Sequence, residues 1–231
     1  MNFLARIQRP LGIVTIVMLL AGLWMVFNAP VDFQQGNSVR ILYAHVTSAK
    51  MSLFCYILLT ISSITYLWKK NETADILAEA AAPVGAAFTA VTLASGSIWG
   101  KPMWGTWWAW DARLTSMLVL LIIYMGLMAL RGSLDEPLKA ARATAILAII
   151  GAVDLPIIHF SVVWWRTLHQ PASFGGSSGN PTITGALLPP LLVMAIAFML
   201  LGAYLVVIKA REIAAHRQLE ALDIERMEAN D

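Results

Sequence analysis

Leu114-Thr115-Ser116-Met117-Leu118-Val119-Leu120-Leu121-Ile122-Ile123-Tyr124-Met125-Gly126-Leu127-Met128-Ala129-Leu130 contains no charge and no proline, and Arg113 and Arg131 bound it on either side. A helix rises 1.5 Å per residue, so about 17 to 25 apolar residues cross the roughly 30 Å hydrocarbon layer of a bilayer. Lipid offers no water to backbone N–H and C=O groups, so such a run must close its hydrogen bonds internally, as a helix. Working outward, the same pattern recurs at 11–27, 51–68, 77–98, 143–165 and 183–208. The composition agrees: 58% of the 231 residues are apolar and 13% charged, where a soluble domain carries about 25% charge. Mean hydropathy is +0.69. The sequence therefore predicts an all-α, polytopic membrane helix bundle of six transmembrane helices, with residues 1–208 as the membrane domain and 209–231 as a charged tail.

Arg6 and Arg9 before the first run resemble the start of a signal peptide, but Phe27-Asn28-Ala29-Pro30 lacks the small-residue cleavage pattern, so the run is read as a helix. Orientation follows from the cations. One side collects Arg6, Arg9, Lys69, Lys70, Arg131, Lys139, Arg142, Lys209, Arg211, Arg217 and Arg226; the other holds Arg40, Lys50, Lys101, Arg113 and Arg166. The positive-inside rule then puts both termini in the cytoplasm. On that orientation the outer connections are 28–45, 99–113 and 166–182, which are long, while the inner turns are short and charged. The Gly- and Ser-rich stretch Phe174-Gly175-Gly176-Ser177-Ser178-Gly179-Asn180-Pro181 reads as a flexible spacer.

Chemistry concentrates in the second outer connection. Trp99-Gly100-Lys101-Pro102-Met103-Trp104-Gly105-Thr106-Trp107-Trp108-Ala109-Trp110-Asp111-Ala112-Arg113 gathers five of the nine tryptophans. An interfacial aromatic belt places one or two indoles at each helix end; a cluster closed by Asp111 and Arg113 suits a platform for a flat aromatic ligand, each ring pair adding about 0.5–1.5 kcal/mol. His45 and His169 fall at matching depth on the same side, as six-coordinate haem iron requires of two neutral imidazoles. Arg40, Lys101, Arg113 and Arg166 could meet two propionates, with Arg40 and Arg113 able to do so bidentately. Each of these residues also has a plain reading, as packing histidines or snorkelling cations.

The segments Asp32-Phe33-Gln34-Gln35-Gly36, Arg40-Ile41-Leu42-Tyr43-Ala44-His45-Val46, the tryptophan-rich loop 99–115, and Ile157-Ile158-His159-Phe160-Ser161-Val162-Val163-Trp164-Trp165-Arg166-Thr167-Leu168-His169-Gln170 resemble the haem-handling protein C family of the cytochrome c maturation system. The likeness runs from the first span to the sixth. It implies a haem-binding subunit, not an enzyme, in a bacterial inner membrane with its site facing the periplasm. It implies His45 and His169 as axial ligands of a non-covalently held haem b in transit, and a loop including Trp99, Trp104, Trp107, Trp108, Trp110 and Asp111 that presents haem to a membrane-anchored periplasmic chaperone. It also implies association with ABC-type ATPase and permease subunits and a small membrane subunit. Where the family reads His-Val-Pro this chain has His45-Val46-Thr47, and Asp154 stands where Asn is expected in relatives.

Other readings stay open. A quinone-linked electron-transfer cytochrome of b type would use histidines buried mid-span, and a permease would show broken helices with polar residues at the midplane; only Asp154 beside Pro156 hints at the latter. An ionisable group at that depth is functional by default, as a proton relay or as a protonated structural acid. His159 reads as packing, His216 as a surface residue and Cys55 as a small buried apolar residue. Asp111 and Arg113 are expected to form the docking surface for a partner, apart from the ligand-holding histidines.

Overall fold

The computed structural model describes residues 2–165, 167–169, 183 and 185–229. The chain runs α1 (Asn2–Asn28), α2 (Val39–Lys69), α3 (Glu72–Trp104), α4 (Ala112–Gly132), α5 (Pro137–Gly151), α6 (Asp154–Trp164), a short 3-10 turn (Gly185–Leu187) and α7 (Leu188–Glu228). No strand occurs among the described residues; an isolated bridge joins Asp32 and Gly36. Six helical stretches are long and apolar enough to cross a membrane, α5 and α6 together making the fifth, Pro137–Trp164. Large apolar side chains such as Ile13, Leu20, Trp24, Ile61, Ile122 and Ile150 face outward, as helices solvated by lipid rather than water require.

Local signals set the helix ends. Lys70 takes a left-handed conformation (φ 53°) and donates its N–H to Tyr66 O, closing α2; Asn71 then accepts the Ala74 N–H and opens α3, with Glu72 and Asp75 in its positive first turn. Gly105 (φ 75°) donates to Lys101 O and ends α3, a position that favours glycine. Thus α3 continues through Trp104, six residues past the expected span, and the true loop begins at Gly105. Likewise α2 begins at Val39, so His45 sits on a helix and not in a connection. The expected span 143–165 is broken at Ala152-Val153, where α5 ends and Asp154 opens α6; Pro156, lacking an N–H, suits the first turn of α6.

The helices α2 and α3 form a hairpin at the centre, flanked by α4, α5 and α6 on one side and by α7 and α1 on the other. Tyr56 and Tyr124 meet edge to face in the core, their hydroxyls donating to Ala148 O and Ser52 O. Cys55 is buried in the neighbouring α2, α3, α7 cluster. At the start of α3 a charged knot ties three helices: Asp75 accepts two hydrogen bonds from Arg131 (2.8 and 2.7 Å) and one from Arg217 (2.7 Å), and Glu79 accepts from both arginines. The other end of α3 carries Trp99 and Trp104, and there the polar chemistry gathers.

Candidate functional site

A cavity opens among α2, α3, α4, α6 and the segment after α6. His45, Lys50, Trp99, Arg113, His159 and His169 line it together with Leu42, Leu53, Leu93, Met117 and Ile158. His45 comes from the second turn of α2. Its Nδ1 lies 3.1 Å from Thr92 O and 3.2 Å from Ser95 Oγ. A carbonyl only accepts, so the proton belongs on Nδ1 and the lone pair on Nε2. Gly96 makes room for this ring: a Cβ there would stand 2.9 Å from His45 Cε1. Thr47 donates its hydroxyl to Tyr43 O at 2.6 Å and lies inside α2, which runs unbroken from Val39 to Lys69.

His169 is held from the other side. Asp111 is the N-cap of α4; its Oδ1 accepts the Leu114 N–H at 2.8 Å, and its Oδ2 lies 2.9 Å from His169 Nδ1. The carboxylate thus fixes the second ring in the same tautomer as the first, with Nε2 free, the arrangement by which proteins orient imidazole ligands to a metal. The two side chains are only 9% and 7% exposed. Burial pulls His169 below the ordinary histidine range, Asp111 draws it part of the way back, and Arg113 opposes the proton; a neutral ring is the result. Neither Nε2 has a hydrogen-bond partner among the described residues.

A run of rings joins the two imidazoles. His45 meets Trp99 at 5.9 Å between centroids, Trp99 meets Trp104 at 6.0 Å, and Trp104 meets the edge of His169 at 4.9 Å. Trp99 is buried and donates its indole N–H to Gln35 Oε1 at 3.2 Å; Gln35 is placed by a tight turn in which Asp32 Oδ1 accepts the Gln34 and Gln35 N–H groups. The rest of the loop faces outward: Trp107 is 56% and Trp110 77% exposed, while Trp108 packs against Trp110 at 5.4 Å. The Trp108 indole N–H is buried with no acceptor among the described residues.

The sequence-derived set thus divides. His45, His169, Trp99 and Arg113 line the cavity, with Trp104 and Asp111 packed directly behind His169. Trp107 and Trp110 form an outer surface, with Trp108 half-buried against Trp110. Arg40 lies in the first turn of α2 and does not line the cavity, and Lys101 is turned to Gly105 O (3.1 Å) and the Trp107 ring; Arg166 and the spacer 170–182, apart from Ile183 beyond it, lie outside the described residues. Asp111, expected on a docking surface, is instead tied to His169, because an N-cap carboxylate at the start of α4 has a second oxygen left to accept. Arg113 donates to Ser161 Oγ (3.2 Å) and His159 O (3.5 Å), bracing α4 against α6. Lys50, Gln35, Thr92 and Gly96 went unnoticed as site residues. Lys50 carried a signal as an ammonium five residues after a histidine, and Gln35 as part of a family-resembling segment. His216 is exposed beside Glu220 on α7.

A family model described as Heme exporter protein C matches residues 1–225. The chain belongs to the heme exporter protein C family. It is 48% identical over 223 residues to Heme exporter protein C of Bradyrhizobium diazoefficiens, covering 95% of this chain and 83% of that one. It is 45% identical over 204 residues to the Escherichia coli K12 protein of the same name, 88% and 82% covered. A putative cytochrome c biosynthesis ccmC-like mitochondrial protein of Marchantia polymorpha is 44% identical over 181 residues, 78% and 76% covered. Membership of the heme exporter protein C family agrees with the six apolar helices of a multi-pass membrane protein.

Proposed function

We propose that this chain holds haem, as cargo, between His45 and His169 at the outer face of a bacterial inner membrane and hands it to a membrane-anchored periplasmic chaperone for cytochrome c maturation. One observation carries the reading. Two histidines from distant parts of the chain line one cavity, each with Nδ1 hydrogen-bonded to an oxygen acceptor and Nε2 free. Iron held by two imidazoles needs two such neutral donors. Trp99 and Trp104 supply aromatic faces beside them, and the apolar floor of Leu53, Met117 and Ile158 suits the body of a porphyrin. The chain binds and positions haem b non-covalently and catalyses no reaction itself; any bond to the haem is made by the partner. The exposed indoles of Trp107 and Trp110 are the surface offered to that partner.

The excess of cations around 69–70, 131–142 and 209–226 supports cytoplasmic termini and a periplasmic site. Families of this name suggest an exporter assembly, and we assign the chain a place beside ABC-type ATPase and permease subunits and a small membrane subunit. The test is a haem titration of the purified chain. The wild-type protein should give a low-spin, bis-histidine absorption spectrum, and His45→Ala and His169→Ala should each give a five-coordinate or haem-free protein. A low-spin spectrum persisting in both single variants rules out the ligand pair.

A further inference from the structure

A second cavity, of about 260 Å³, lies at the opposite end of the bundle among α2, α3, α4 and α5, with Lys209 of α7 at its edge. It is separate from the one between the histidines. Along α2, Leu53 lines the outer cavity and Leu59 the inner; along α4, Met117 lines the outer and Leu127 the inner. Between them stand Tyr56 and Tyr124, packed edge to face and each hydrogen-bonded to the backbone of another helix. From Leu59 to the end of α2 at Lys69 is about 15 Å at 1.5 Å per residue, half of a roughly 30 Å hydrocarbon layer. The inner cavity therefore spans the depth of one leaflet.

Two hydroxyls line it without a partner. Ser63 is 1% and Tyr66 6% exposed, and neither hydroxyl is hydrogen-bonded among the described residues. Nearby hydroxyls behave differently: Thr60 and Thr65 donate to Tyr56 O and Ile61 O on their own helix, and Thr144 across the cavity donates to Ala140 O. That back-bond is the common solution for a hydroxyl inside a helix, and a buried polar group almost always has some partner. The charges at the mouth are already matched, Asp75 and Glu79 with Arg131, and Lys209 with Glu212, so nothing there demands a charged ligand. The floor is small and apolar, with Ala82, Leu127, Ala145 and Ala148, and offers a water few of the 2–4 polar partners it needs. We propose that the inner cavity is a second binding site, for an apolar chain that carries a carbonyl group. Ser63 and Tyr66, three residues apart and so on one face of α2, donate to the carbonyl oxygen, which has two lone pairs, and the chain fills the alanine-lined floor. An acyl ester of a membrane lipid and the ring carbonyl of an isoprenoid quinone share this chemistry.

The experiment uses the full-length chain in detergent and three probes: ester-linked phosphatidylethanolamine, its diether analogue, which lacks the carbonyls, and a long-chain benzoquinone. Each is added in excess, the protein is washed, and the amount retained per chain is measured by mass spectrometry. Wild type should retain a carbonyl-bearing probe about threefold to tenfold better than the diether, the size of a neutral hydrogen bond. Ser63→Ala with Tyr66→Phe removes only the two hydroxyl groups, so the chain should accumulate as wild type does and lose that preference. A hydroxyl-dependent preference for the ester over the quinone assigns the carbonyl to a lipid, and the reverse order assigns it to a quinone. Equal retention of all three probes by wild type, or a preference that survives in the double variant, would overturn the site and leave a cavity filled by water or by any passing chain.

Discussion

Asp111→Asn isolates the most consequential contact of the site. The carboxylate serves two groups at once, accepting the Leu114 N–H through Oδ1 (2.8 Å) and orienting His169 Nδ1 through Oδ2 (2.9 Å). Asparagine caps a helix about as well as aspartate, so the amide oxygen should remain on Leu114 and the helix should keep its start. The amide NH2 then faces His169 Nδ1 as a donor, and the ring can satisfy it only by moving its proton to Nε2. That inverts the tautomer and occupies the nitrogen needed for iron. Removing a partner that orients an imidazole ligand lowers metal affinity about 10–100-fold, while the loss in thermal stability should stay within a few tenths of a kcal/mol. Asp111→Ala, lacking the cap as well, should lose about 0.5–2 kcal/mol of stability along with the affinity. The assay pairs haem titration, followed by the low-spin absorption band, with thermal unfolding of the same haem-free samples. Wild-type haem affinity in Asp111→Asn would refute the argument, because the carboxylate would then not be setting the His169 tautomer.

Other expectations follow from the same geometry. Gly96→Ala puts a methyl 2.9 Å from His45 Cε1; the ring must shift, and haem content should drop by about tenfold or more with protein accumulation intact, whereas normal haem content would show the ring has room. Trp104→Ala should weaken haem binding, since this indole lies between Trp99 and His169, while Trp107→Ala should bind haem normally and fail in transfer to the chaperone; identical behaviour of the two would erase the division between inner and outer indoles. Burial holds His169 below its ordinary 6.5, so the unfolded chain protonates first as pH falls. Stability from the neutral ring is complete above 6.5, declines as pH drops through the depressed value and takes haem retention with it, and His169→Ala should flatten that slope. Asp154 is buried with Oδ2 unpartnered among the described residues, so Asp154→Asn should accumulate and bind haem as wild type does; failure of cytochrome c assembly at normal protein level would give the acid a proton-carrying role.

The membrane fold was readable because lipid imposes a length and a hydropathy that charge-free runs such as 114–130 cannot disguise. Helix ends were less readable. Gly100 and Pro102 suggested an irregular loop, yet α3 passes through both and stops at Gly105, where a positive φ and a hydrogen bond to Lys101 O complete the end. The break at Ala152-Val153 lay inside one apolar run, and Asp154 beside Pro156 was its only trace in the sequence. His45 and His169 were singled out as candidate ligands, but the groups that hold their rings were not legible: Thr92 O is a backbone atom, Gly96 acts by lacking a side chain, and Asp111, singled out for another role, reaches His169 across a separation of 58 residues. Arg40 and Lys50 are both cations near His45 in sequence, and the cavity lining includes Lys50 and not Arg40.

A carrier must both hold its cargo and let it go, and the two histidines differ in a way that bears on this. His45 stands on a long helix, its Nδ1 fixed by the backbone carbonyl of a neighbouring helix and its ring seated against Gly96, so moving it means moving α2 against α3. His169 follows the end of α6 in non-helical chain, and one side-chain contact, from Asp111, fixes its Nδ1. Asp111 in turn belongs to the loop that carries Trp107, Trp108 and Trp110. On the proposed reading, a partner that docks on the exposed indoles of Trp107 and Trp110 and shifts the loop would draw Asp111 away from His169 before it disturbed His45. Release would then begin at the His169 side, with haem still held through His45. On that reading the order follows from the unequal anchoring of the two rings.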